Sequence, residues 1–234
     1  MITFGKNERF NNCIKGLLTI VIYFFISFER NLPFDLLHID YDSLPLIVRE
    51  TYTISLEILI LIIIFKMFKG EIIKAWQDLK KNHMKYFSEN FKYYLFGLLL
   101  MLSSNLLINI LGGGMSGNET EIRNQFNIAP IFTFVSSVFI APFVEEGIFR
   151  LSFRNVFKNN FIFVLMSGLV FGGLHLLAGV DTNLLFLYLV AYGSFGIVFA
   201  YMLVKTNNIF VSTSFHLMHN GIFMSLQVLI FLLG

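Results

Sequence analysis

The chain reads as an all-α, polytopic transmembrane helical bundle, and three observations predict it. Apolar residues make up 56% of the 234 and charged residues only 14%, with a mean hydropathy of +0.72. The apolar residues fall in runs of about 20 between short polar connections, the length at which a helix crosses a hydrocarbon core with its backbone internally bonded. Lysine and arginine gather in some connections and acids in others, the asymmetry that orients membrane spans. A net charge of +2 points to no nucleic-acid partner, because topology accounts for the basic residues. Membrane lipid is the expected surrounding, and a multi-pass place in a cell membrane, bacterial and cytoplasmic, is the expected location.

About seven spans fit this length. Met1 to Asn12 is polar, with Lys6 and Arg9, and Cys13–Phe28 is span one. No small-residue cleavage site follows it, so it reads as a retained first helix rather than a signal peptide. Cys13 stands alone and reads as filler, with no disulfide or cysteine-based metal framework to join. Residues 29–45 carry Asp35, Asp40 and Asp42 with two prolines and read as an external loop. Span two, Leu46–Phe68, is interrupted by Arg49, Glu50 and Glu57. Residues 69–92 hold Lys69, Lys74, Lys80, Lys81, Lys85 and Lys92, with Trp76 and Tyr86 suited to headgroup level, and read as a cytoplasmic amphipathic connection. Span three, Tyr93–Leu111, stops at Gly112-Gly113-Gly114.

Pro130 opens span four, Pro130–Phe153, and Pro142 predicts a kink within it by removing a backbone donor. Span five is Phe161–Ala178, span six Leu184–Val204 and span seven Ile209–Leu233. Positive charge in the short connections puts the N-terminus, 69–92, 154–160 and 205–208 inside, and 29–45, 119–121 and Asp181 outside, with the C-terminus outside. Residues 1–128 are expected to form a three-span N-terminal region and 129–234 a four-span core.

The chemistry concentrates in span four, at Val144-Glu145-Glu146-Gly147-Ile148-Phe149-Arg150. A charge at mid-bilayer costs roughly 2.5–3.5 kcal/mol on insertion scales, so three in six residues need partners or a function. Glu146 and Arg150 are i,i+4 with the acid first, the favourable order for an ion pair. Glu145, about 100° round the helix, is the carboxylate left for general-base work. Its distance from the inner helix end is roughly nine residues, about 13 Å. Span seven brings His216-Leu217-Met218-His219-Asn220, where His216 and Asn220 share a face at matching depth. Span five brings Phe171-Gly172-Gly173-Leu174-His175, with His175 about 8 Å too far outward for a helix starting at Phe161. Glycines 172 and 173 read as close-packing residues, Phe171 as a packing wall and His219 as support. Glu57 is an intramembrane carboxylate without an evident partner.

Glu-Glu-x-x-x-Arg, Phe-x-x-x-His and His-x-x-x-Asn, one per span and in that order, resemble the CPBP family of intramembrane glutamic proteases. That family holds the CAAX prenyl proteases and the bacteriocin-processing Abi proteins. The resemblance covers roughly residues 130–225; Leu151 stands where many members have glycine. It implies a hydrolase, an endopeptidase in which Glu145 and His175 activate water and His216 with Asn220 forms an oxyanion hole, supported by Glu146 and Arg150. It implies a membrane-associated peptide or protein substrate, with bacterial peptide processing (a bacteriocin or pheromone) or self-immunity as the setting.

The residues are coherent with amide hydrolysis, which needs a base for water, donors for the oxyanion and an acid for the leaving amine. No cofactor is expected. One alternative is a zinc protease using His175, His216 and a Glu as ligands, although the spacing is not His-Glu-x-x-His. Another is a non-catalytic membrane immunity or transport protein, for which repeated halves with broken helices are missing.

Overall fold

The computed structural model describes residues 6–233, so the first five residues of the polar leader lie outside it. Every regular element among the described residues is helical. We label the principal helices α1 (Lys6–Phe28), α2 (Leu46–Ile110), α3 (Gly117–Ile128), α4 (Pro130–Val156), α5 (Asn160–Leu174), α6 (Leu185–Thr206) and α7 (Ile209–Leu233).

Large apolar side chains point outward all round the bundle, among them Phe25, Leu99, Leu106, Ile131, Phe186 and Leu232, each more than 60% exposed. A water-soluble fold would bury such residues, whereas lipid solvates them. Among the described residues four helices are long and apolar enough to cross a membrane: Asn7–Phe28, Pro130–Val156, Thr182–Thr206 and Ile209–Leu233. The chain is therefore a polytopic helical membrane protein.

Two predicted spans and their connection are one continuous element. Helix α2 is 65 residues long, with Phe68 as its one non-helical residue (φ −120°, ψ 20°). The kink falls where the sequence changes from apolar to basic. Beyond it residues 69–92 stay helical, with all six lysines exposed. Asp78 fastens this stretch to the turn between α6 and α7. Its carboxylate accepts from Tyr86 (2.5 Å), Asn82 (2.7 Å) and the buried Asn208 (2.8 Å). The glycine run ends α2 as predicted: Gly112 has φ +80°, and the N–H groups of Gly112 and Gly113 return to the carbonyls of Asn109 and Ile108. That pair of bonds satisfies the last carbonyls of the helix and needs a residue tolerant of left-handed backbone.

The predicted fifth span is shorter than drawn. Helix α5 has 15 residues, about 22 Å against a hydrocarbon core of about 30 Å, and the chain turns at 175–178. Its packing explains why glycine is used there. A Cβ at Gly172 would come within 2.8 Å of the Gly193 nitrogen, and one at Gly196 within 2.8 Å of the Gly168 Cα. Helices α5 and α6 thus touch backbone to backbone. Gly173 has open space at its Cβ position and takes no part.

The main core joins Ile60, Ile64 and Phe68 of α2 to Val144, Ile148 and Phe149 of α4, Phe163 and Phe171 of α5, and Ala200 and Leu203 of α6. It crosses the expected boundary at residue 128, because α2 packs directly on α4. The contact is close enough that a Cβ at Gly147 would meet Ile64 at 2.6 Å.

Candidate active site

Helix α4 has two π-helical turns, Ser136–Ile140 and Glu146–Ser152, and the paired acids fall where the second begins, Glu145 just before it and Glu146 its first residue. The predicted kink at Pro142 takes this form. In the first turn the Ala141 N–H reaches back to the Ser136 carbonyl. The next residue in register, Pro142, has no N–H to offer Ser137. The orphaned Ser137 carbonyl is taken by Asn220, whose side-chain amide donates to it at 2.8 Å. One of the two amide hydrogens of Asn220 is therefore committed to the scaffold. In the second turn Ser152 donates its hydroxyl to the Gly147 carbonyl at 2.9 Å, five residues back. Single π turns commonly mark functional positions in helices.

The three charges separate as their spacing suggests. Arg150 (0% exposed) lies with its Nε 3.3 Å from Oε1 of Glu146 (1% exposed). Its guanidinium covers the Phe171 ring at 4.6 Å and donates to the Phe195 carbonyl at 3.5 Å. Glu145 has no arginine partner, and its side chain is 20% exposed. Between the two acids stands His216, with Nδ1 3.0 Å from Glu146 Oε1 and Nε2 3.4 Å from Glu145 Oε2. A carboxylate oxygen only accepts, so Nδ1 carries the hydrogen towards Glu146. That leaves Nε2 and the Glu145 carboxylate facing each other, and a hydrogen bond between them needs one shared proton.

His175 is the C-terminal cap of α5, at the end of 15 helical residues that begin at Asn160, so it lies about 22 Å along the helix and the outward displacement expected from the sequence stands. Its Nδ1 donates to the Phe171 carbonyl at 2.8 Å, leaving the Nε2 lone pair unbonded, and its ring stacks on Tyr192 at 5.1 Å. Tyr192 is held in turn by Ser116 at 2.5 Å. No nitrogen of His175 is within ion-pairing distance of either acid. Phe171 separates it from His216, with ring centroids 4.5 Å from His175 and 6.0 Å from His216. His219 packs among Phe195, Tyr94 and Phe223 without a hydrogen bond to its Nδ1. Among the described residues no three His, Cys, Asp or Glu side chains are grouped as ligands for one ion.

A cavity of about 170 Å³ reaches Glu145 between α1, α2 and α4. Its walls run from Glu145, Val144 and Ile60 past Tyr23 and Glu57 to Arg30 and Thr53. The sequence reading expected the site to open towards the 69–92 side. The cavity leads instead to the 29–45 side, where Arg30 and Thr53 line it. Glu57, unassigned by sequence, accepts a hydrogen bond from Ser136 at 3.0 Å and shares this cavity with Glu145. Its recurrence with Thr53 at i,i+4 on one face was the available signal.

The family model for the Type II CAAX prenyl endopeptidase, Rce1-like, matches residues 127–222, the stretch that carries Glu145, His175, His216 and Asn220. That stretch is similar to the Rce1-like family. The chain is also 30% identical over 140 residues to a Bacillus subtilis (strain 168) protein named "Putative membrane peptidase YdiL", covering 58% of this chain and 48% of that protein. The chain thus spans about half the length of the curated relative it matches. No solved structure matches it. The Rce1-like region takes in α4 to most of α7, whereas α1 and α2, which form two walls of the cavity, lie outside it.

Proposed function

We propose that the chain is an intramembrane glutamic endopeptidase of the bacterial cytoplasmic membrane that hydrolyses a membrane-associated peptide or protein without a metal. The observation that carries this reading is the contact between Glu145 and His216 Nε2 at the inner end of the cavity. The family match and the named membrane peptidase relative support it.

Water held by Glu145 loses a proton to the Glu145–His216 pair as its oxygen bonds to the scissile carbonyl carbon. The carbonyl electrons move onto oxygen, and the remaining amide hydrogen of Asn220, together with a protonated histidine, donates to that oxyanion. As the tetrahedral centre collapses the C–N bond breaks, and the stored proton leaves on the amine. His175 stands behind Phe171 and outside the cavity lining, and no proton is routed through it. Glu146 and Arg150 touch none of the reacting atoms. Glu146 fixes the tautomer and orientation of His216, and Arg150 neutralises Glu146.

The deciding experiment incubates wild type and Glu145→Gln, both in lipid nanodiscs, with prenylated Cys-terminal peptides and leader-bearing hydrophobic peptides, and reads cleavage by mass spectrometry. Wild type is expected to cut one class and Glu145→Gln to be slower by about 10²–10⁴-fold, the usual contribution of a general base. Equal cleavage by both proteins would end this reading. Activity that chelation abolishes and zinc restores would replace it with the zinc mechanism.

A further inference from the structure

The cavity above Glu145 has the form of a subsite for one side chain. Three helices each contribute one face to it, Tyr23 and Ser27 of α1, Thr53, Glu57 and Ile60 of α2, and Ala141 and Glu145 of α4, with Arg30 joining from the turn after α1. At about 170 Å³ it is smaller than the roughly 300–1,000 Å³ of sites that hold a whole small molecule. Ile26, Leu56, Ile60 and Val144 line it with apolar surface, and Glu57 places a carboxylate among them. Apolar surface beside a carboxylate complements a side chain with a methylene stem and a cationic head.

Glu57 is short of a partner. Both of its oxygens receive the single Ser136 hydroxyl, at 3.0 and 3.3 Å, and no lysine, arginine or histidine pairs with it among the described residues. The other membrane-embedded acid beside the site, Glu146, has both Arg150 and His216. An intramembrane carboxylate without a cation is costly unless something supplies one. Arg30 lines the same cavity and also pairs with no carboxylate among the described residues.

Resting on the endopeptidase reading, we propose that Glu57 is a specificity-determining residue that binds a lysine or arginine side chain of the substrate next to the scissile bond. It lies outside residues 127–222, so the family match assigns it no role. The basic group lays its stem along Ile26 and Leu56 and pairs with Glu57, which sets the neighbouring peptide bond at Glu145.

The test uses full-length protein in lipid nanodiscs and a hydrophobic peptide series with Lys, Arg, norleucine or Glu at successive positions. Both cleavage and equilibrium binding of the fluorescently labelled peptides are measured. Wild type is expected to prefer Lys or Arg over norleucine at one position, and Glu57→Gln to lose about 10–100-fold in kcat/KM and in affinity for those peptides. That is the loss expected for one charged hydrogen bond. Cleavage of the norleucine peptide stays within about threefold, and Glu57→Lys shifts the preference to the Glu peptide. Equal losses on basic and neutral peptides, or no loss on either, would overturn the assignment. If wild type cleaves no peptide, the endopeptidase reading falls, and the binding measurement alone still decides the subsite. Equal affinity of wild type for Lys and norleucine peptides would then refute it.

Discussion

Arg150→Ala isolates what the buried ion pair does for the fold. The change leaves Glu146 fully buried with one partner, His216, and with Oε2 already lacking a hydrogen bond. At 3.3 Å the lost attraction is about 5 kcal/mol for an effective dielectric near 20. Breaking a buried pair from one side typically costs about 3–5 kcal/mol, since the remaining charge stays uncompensated. The lost packing over Phe171 adds to this. Stability is read by reversible unfolding in mixed micelles, with the melting temperature expected to fall by roughly 6–20 °C at about 2–4 °C per kcal/mol. The double variant Glu146→Gln/Arg150→Met removes both charges and is expected to recover most of the loss. A single-variant loss below about 1 kcal/mol, or a double variant no better than the single, would refute the reasoning.

Asn220→Ala frees the Ser137 carbonyl and is expected to cost about 1–3 kcal/mol of stability together with about 10²–10³-fold in kcat. In a Pro142→Ala background, where a backbone N–H is available for Ser137, the stability loss shrinks and the activity loss does not; a cycle of four variants measures both. Gly172→Ala forces α5 from the Gly193 backbone and is expected to destabilise by about 1–3 kcal/mol, while Gly173→Ala, facing open space, changes stability by less than about 0.5 kcal/mol; thermal unfolding of the two separates them. The hydrogen bonds from Tyr86, Asn208 and Asn82 hold the Asp78 carboxyl below its ordinary value of 3.8. Its folded pKa is depressed, so its contribution is full above about pH 4 and is lost as pH falls through the folded value. Unfolding of wild type and Asp78→Asn as a function of pH is expected to converge at the acid end.

Composition and run lengths alone determined that this is a helical membrane protein, because lipid leaves a backbone few other ways to satisfy its hydrogen bonds. Spacing alone determined that Glu146 pairs with Arg150 and Glu145 does not, since neighbours on a helix surface follow from its pitch. Linear order also located the stop at Gly112 and the disturbance at Pro142, both properties of single residues. Only the tertiary structure decided that His216 stands between the two acids and that Asn220 spends a hydrogen on Ser137. Those contacts join residues 70 and 83 positions apart, and no periodicity reports on them. It also decided that α5 ends at Leu174, since the stretch after it is as apolar as the helix itself and only packing against α6 and Tyr192 tells them apart. Glu57 shows the same division. Its place in an apolar span was legible as an anomaly, but the cavity it shares with Glu145 exists only where α1, α2 and α4 come together.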